Sequence, residues 1–138
     1  MKTLDDWLRD ATSASDPTAA LDAAEDLAGD RAGELRTLLR HLDQHCAADR
    51  VRLRRVALRG AQSGVDEVAV STLRAAGRVL VRTLGEADEA ERFFRAAGRQ
   101  FATLPRRASW SRLVLAAHRL FDAPLIANEL ADQALQHA

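Results

Sequence analysis

Tyrosine is absent from this chain, and aromatic residues of all kinds amount to 4%. That scarcity excludes a surface built on rows of stacked rings, the platform on which single-stranded nucleic acids are commonly held. Lysine occurs once, at Lys2, so arginine supplies nineteen of the twenty basic side chains. Cysteine also occurs once, at Cys46. One thiol makes neither an intramolecular disulfide nor a thiolate-rich metal cluster, and it fits a reducing, cytoplasmic setting. No stretch approaches the ~18 apolar residues of a membrane span, and Met1 to Trp7 carries no apolar secretion core, so no membrane association is expected. Net charge is lacking too, because twenty bases balance twenty acids. The molecule as a whole exerts no long-range pull on nucleic acid or anionic lipid, and any electrostatic role has to be local.

What is present is a chain of 138 residues with 47% hydrophobic content, enough for one ordinary core, so a single helical domain over residues 1–138 is expected. Apolar content this high at zero net charge argues against disorder. Alanine, leucine and arginine dominate, and glycine and proline fall where they can separate helices. The spacing predicts an all-α fold, a compact bundle of about seven to eight helices. The alternative is a short α-solenoid of helical hairpins, although no repeat consensus is matched.

The first helix runs from Leu4 to Ala11 with Trp7 and Leu8 inward. Asp16 and Pro17 read as N-cap and first residue of the second, which Gly29 stops. The third starts near Asp30 and ends near Cys46, with Leu35, Leu38, Leu39 and Leu42 in the i, i+3, i+4, i+7 pattern of a buried stripe. Asp49 caps the fourth, in which Leu53, Val56, Ala57 and Gly60 share a face opposite Arg52, Arg55 and Arg59. Ser63 and Asp66 form a weak capping box for the longest helix, Val65 to Leu84, predicted to be central because its polar residues crowd into one narrow stripe. A sixth helix covers Glu86 to Leu104 with Ala90, Phe94, Ala97, Phe101 and Leu104 inward, and Pro105 ends it. A seventh, near Ser109 to Phe121, buries Trp110, Leu113, Val114, Ala117 and Phe121. Asp122 caps the last, with Pro124 in its first turn. Leu73-Arg-Ala-Ala-Gly-Arg78 is echoed by Phe94-Arg-Ala-Ala-Gly-Arg99. If these helices pack antiparallel across Gly85, a glycine interior to each, costing about 0.5–1 kcal/mol against alanine, is explained by close backbone approach.

The charge layout carries the functional reading. Residues 1–34 hold nine acids against Lys2, Arg9 and Arg31, a balance of −6, whereas residues 50–85 hold eight arginines against Asp66 and Glu67, a balance of +6. Neutrality is thus a cancellation of two poles. Arg92 and Arg95 follow Asp88 and Glu91 by four residues, the favourable order for pairing on a helix surface. Arg52, Arg55 and Arg59 have no acid between Asp49 and Asp66, Arg74, Arg78 and Arg82 have none between Glu67 and Glu86, and at helical spacing these six can fork onto carboxylates or phosphates. Three uses compete for them: a solvated face or internal pairing with the acidic N-terminal helices, an interface with an acidic protein or a second copy, and binding of an RNA or DNA phosphate backbone.

His41 and His45, at i and i+4, could reach one metal with Cys46 or Asp49 completing the ligands. Cys46 lies on the leucine stripe, though, where a lone cysteine behaves as a small hydrophobe, and Asp49 is needed as a cap. No metal or other cofactor is therefore expected. His118 and His137 are isolated. Ser109 and Ser111 beside Arg106 and Arg107 offer a modest anion site at a helix start. No nucleophile elbow and no glycine-rich phosphate loop is present, so binding is expected in place of chemistry. The resulting expectation is a cytoplasmic, bacterial helical adaptor or assembly module that uses the six arginines.

Overall fold

In the computed structural model, residues 1–63, 67–101, 107–122 and 124–136 are described. Eight α-helices occupy them: α1 Leu4–Ser13, α2 Thr18–Ala28, α3 Ala32–His45, α4 Arg50–Ala61, α5 Glu67–Arg78, α6 Ala87–Phe101, α7 Arg107–Phe121 and α8 Pro124–Gln136. A π-helical segment, Val79–Thr83, continues α5. No strand is found among the described residues, and the fold is the all-α bundle that the periodicity predicts.

The helix ends follow from local chemistry. Thr3 opens α1 with a reciprocal capping box: its hydroxyl accepts from the Asp6 N–H at 3.2 Å, and its own N–H donates to the Asp6 carboxylate at 2.9 Å. Those bonds hold the Asp6 carboxyl below the usual carboxylate range. Asp16 accepts from the Thr18 N–H at 3.0 Å, which places the first helical residue one position later than expected. Gly29 leaves α2 at φ +54°, a conformation that costs glycine little. Asp49 caps α4 by accepting from the Arg52 N–H at 3.2 Å. The Ser63 hydroxyl donates to the Gly60 carbonyl at 2.8 Å, while its proposed partner Asp66 lies outside the described residues. Leu104 and Pro105, expected to finish the sixth helix, lie outside them as well. Asp122 sits at φ +45° and closes α7, its N–H donating to the His118 carbonyl; the residue directly before α8 is not among those described.

The long fifth helix is corrected in one respect. Beyond Arg78 the hydrogen-bond ladder widens, with the Leu84 N–H donating to the Val79 carbonyl at 2.9 Å. This π turn leaves Val79 and Leu80 buried and Arg78 and Arg82 exposed. A period of 3.6 residues does not reveal such a turn, because five residues are fewer than the window over which a helical period is read.

The odd-numbered helices α1, α3, α5 and α7 touch in succession, and each packs against the even-numbered helix that follows it. The bundle is therefore laid out as a row of hairpins. Two apolar clusters fill it. One joins Leu8, Leu21, the leucines of α3, Leu53 and Val56 to the end of α5 and its π turn. The other joins Val70 and Leu73 of α5 to Phe94, Trp110, Leu113, Ile126 and Leu130. α5 feeds both clusters, which is what its narrow polar stripe requires. The two glycines of the echoed segment are both tightly packed, against different partners. A Cβ on Gly77 would lie 2.7 Å from the Phe94 ring of α6 and 3.1 Å from Leu120 of α7. One on Gly98 would overlap Leu130 of α8, so that glycine serves the α6–α8 contact and not the α5–α6 contact expected.

Candidate anion-binding site

The six arginines singled out by charge separate three ways: Arg52 and Arg55 pair internally, Arg59 lines a groove of its own, and Arg74, Arg78 and Arg82 share a cleft. Arg52 is buried, and its guanidinium is surrounded by carboxylates: Nη1 donates to Glu25 at 2.5 Å, Nη2 to Asp22 at 2.7 Å and Nε to Asp49 at 3.2 Å. Arg55 forks onto the same Glu25, through Nε at 2.8 Å and Nη2 at 2.7 Å. Burial alone would raise the Glu25 carboxyl, but the hydrogen bonds and charges of Arg55 and Arg52 outweigh it and hold the group below its ordinary value. Of the three uses open to Arg52 and Arg55, the structure shows internal pairing with the acidic N-terminal helices, so the candidate partner-binding role is corrected for these two. They join α2 to α4 internally, because Asp22 and Glu25, distant in sequence, dock against them.

Two further arginines of α4 are also engaged. Arg54 meets Glu86 at 2.9 Å and 3.0 Å, and Arg50 donates to the carbonyls of Thr83 and Leu84, where the π turn ends. Arg59 is half-buried and lines an open groove of about 640 Å³ with Val51, Leu58 and Gln62. On α6, Arg95 pairs with Glu91 at 2.6 Å and with Glu129 of α8. Arg92 pairs with Glu89 at 2.8 Å, three residues away, in place of the expected Asp88.

The remaining three come together. Arg74, Arg78 and Arg82 line a cleft of about 110 Å³ with Ala116, Arg119 and Leu120 of α7. None of these four arginines forms an ion pair or side-chain hydrogen bond among the described residues. Arg74 is half-buried and the other three are exposed. Three residues before Arg74, in the first half of α5, Ser71 accepts from Arg36 of α3 at 2.9 Å. Asp43 of α3 accepts from the Thr83 hydroxyl at 2.9 Å. Arg119 is the member that sequence reasoning missed. Its place in the final turn of α7, after His118, was visible, but its approach to α5 depends on how the helices dock.

The other candidate centres are less complete. The His41 and His45 rings lie 4.8 Å apart, and burial together with the neighbouring His45 lowers the His41 pKa. Cys46 packs against the first apolar cluster, and burial pushes its thiol up, with Asp49 adding to the effect. Among the described residues no group of three or more His, Cys, Asp or Glu side chains is placed to hold a metal. Ser109 is buried with no partner for its hydroxyl among the described residues, and Ser111 is exposed. Arg106, the side chain of Arg107 and His137 lie outside the described residues, and His118 is exposed. Among the described residues no helix is long and apolar enough to cross a membrane.

No protein-family model matches this chain, and no curated protein or solved structure matches it either. Function is therefore read from the arginine cleft itself. Guanidinium groups gathered without counter-charge repel one another, and an anion that enters gains a forked, charge-assisted hydrogen bond from each one it reaches.

Proposed function

We propose that this protein is a helical interaction module, an adaptor or assembly subunit, that holds an anionic surface of a partner protein in the cleft between α5 and α7. The observation that supports this reading is the contrast between two groups of arginines. Arg52 and Arg55 are matched by carboxylates, whereas Arg74, Arg78, Arg82 and Arg119 share one cleft with none among the described residues. Arginine is enriched at protein interfaces, where its planar fork is largely pre-organised. A second copy offers exposed carboxylates at Asp5 and Asp26. The sharing of α5 between the two apolar clusters supports one domain, and the single thiol and the alanine, arginine and leucine usage support a bacterial cytoplasm.

Affinity capture from cells with the whole chain as bait tests this reading. Capture should fall between ~0.1 M and ~1 M salt, as the Debye length shortens from about 10 Å to about 3 Å. It should survive nuclease treatment and be lost with Arg78→Glu plus Arg119→Glu. Capture abolished by nuclease would replace this reading with phosphate-backbone binding, and capture indifferent to both salt and the double variant would refute it. Sedimentation of the chain alone at the same salt concentrations reports whether the partner is a second copy.

A further inference from the structure

The shape and charge of the cleft say more about the group it receives. Its volume, about 110 Å³, is several water molecules' worth, room for one compact group and not for a folded element. Four arginines line it from two helices, three from α5 and its π turn and one from α7. A carboxylate would offset one of those charges. A phosphomonoester, which carries about −1.5 to −2 at neutral pH and three acceptor oxygens, offsets close to half and can accept from several forks at once. The π turn contributes directly, because Arg82 stands within it, four residues after Arg78, and both line the same cleft. Such turns recur at functional sites.

Two features favour a phosphate carried on a protein segment. The floor of the cleft is apolar, made by Ala116 and Leu120, and Leu115 stands 47% exposed one turn before Arg119 on α7. Residues flanking the phosphate therefore have apolar surface to cover. A nucleic-acid backbone, in contrast, presents a series of singly charged diesters and needs a track of contacts, whereas these arginines converge on one pit.

Resting on the reading that the cleft receives a partner's anionic group, we infer that the group is a phosphorylated side chain of a partner protein, a phosphomonoester and not a carboxylate. Arg74, Arg78, Arg82 and Arg119 grip its oxygens, and Ala116, Leu120 and Leu115 contact the residues beside it.

Calorimetric titration of the whole chain tests this inference. The probes are a phosphoserine peptide with otherwise uncharged, partly apolar residues, the same peptide with glutamate or serine at that position, inorganic phosphate, and a short single-stranded DNA. The phosphopeptide should bind at least about tenfold tighter than the glutamate peptide, because it offers the arginines more charge and one more acceptor oxygen. Its affinity should weaken from pH 7 to pH 5, because the second phosphate pKa is about 6. Arg78→Gln and Arg119→Gln should each weaken it about tenfold, with unchanged melting curves, and Arg92→Gln on α6 should have no effect. Equal affinity for the glutamate peptide would overturn the phosphate inference and leave the acidic-partner reading standing. Inorganic phosphate binding as tightly as the phosphopeptide would overturn the role of the flanking segment. Tighter binding of DNA, no binding of either charged peptide, or indifference to the α5 and α7 variants would overturn both readings.

Discussion

Replacing Glu25 by glutamine removes one charge from the buried cluster between α2 and α4 while keeping the shape of the side chain. In the wild type, Glu25 accepts from Arg52 at 2.5 Å and from Arg55 at 2.7 Å and 2.8 Å. In the variant one acceptor oxygen remains, and an amide donor is turned toward guanidinium donors. Breaking a buried ion pair by removing one partner costs about 3–5 kcal/mol. Arg52 retains Asp22 and Asp49, so the lower end, about 3 kcal/mol, is expected. An unfolding entropy of about 2.1 cal/mol/K per residue gives about 0.29 kcal/mol/K over 138 residues, and the melting temperature should fall by about 10 °C. Thermal unfolding followed by circular dichroism measures this. The pH dependence fixes the mechanism. The folded Glu25 pKa is depressed, so its contribution is full above the unfolded value of about 4.3 and is lost as pH falls through the lower folded value. The gap between wild type and variant should be full at neutral pH and shrink in acid. A loss of less than about 1 kcal/mol at pH 7, the range of exposed pairs, would show that the cluster contributes no more than surface charge. A gap that stays constant into acid would show that the Glu25 charge is not its source.

The cleft arginines should behave in the opposite way. Arg78→Ser or Arg119→Ser should change stability by no more than about 0.5 kcal/mol, because each is exposed and unpaired among the described residues; urea titration of both beside Arg52→Ser should show the contrast. Gly77→Ala should destabilise by about 1–3 kcal/mol despite the better helix propensity of alanine, since the new methyl meets Phe94 at 2.7 Å and Leu120 at 3.1 Å. A variant as stable as wild type in the same titration would show that the α5–α6–α7 junction has slack. Cys46 should react with a disulfide reagent more slowly at pH 7 in the folded protein than after denaturation, because burial and Asp49 raise its thiol pKa; equal rates would contradict that placement.

The leucine stripe of α3 was legible residue by residue, and Leu35, Leu38, Leu39 and Leu42 are all buried as spaced. So were Asp49 as a cap and Gly29 as a stop, because each depends on chemistry within a few residues. The Thr3 and Asp6 capping box was equally local and went unread. The opposed charges of the two ends were legible as sums, but their pairing was not. Asp22 and Glu25 meet Arg52 across 30 and 27 residues, a distance that only helix docking closes. The same reason hid Arg119, which joins the α5 arginines from α7, with the whole of α6 between them in sequence, and sent Gly98 to α8. The π turn left no trace in the pattern because its five residues are fewer than the window over which a helical period is read.

The position of α5 between two apolar clusters has a consequence for how the chain opens. Neither half can release its contacts with this helix without stripping one of its faces: Ala76, Val79 and Leu80 on the first side, Val70 and Leu73 on the second. Its backbone amides should therefore exchange with solvent only when the whole molecule unfolds, whereas α1 and α8, each at one end of the row, fray first. A ligand gripping Arg74 and Arg78 would hold the one element whose loss ends cooperativity, so occupancy of a small surface cleft would be read as slowed exchange throughout both halves.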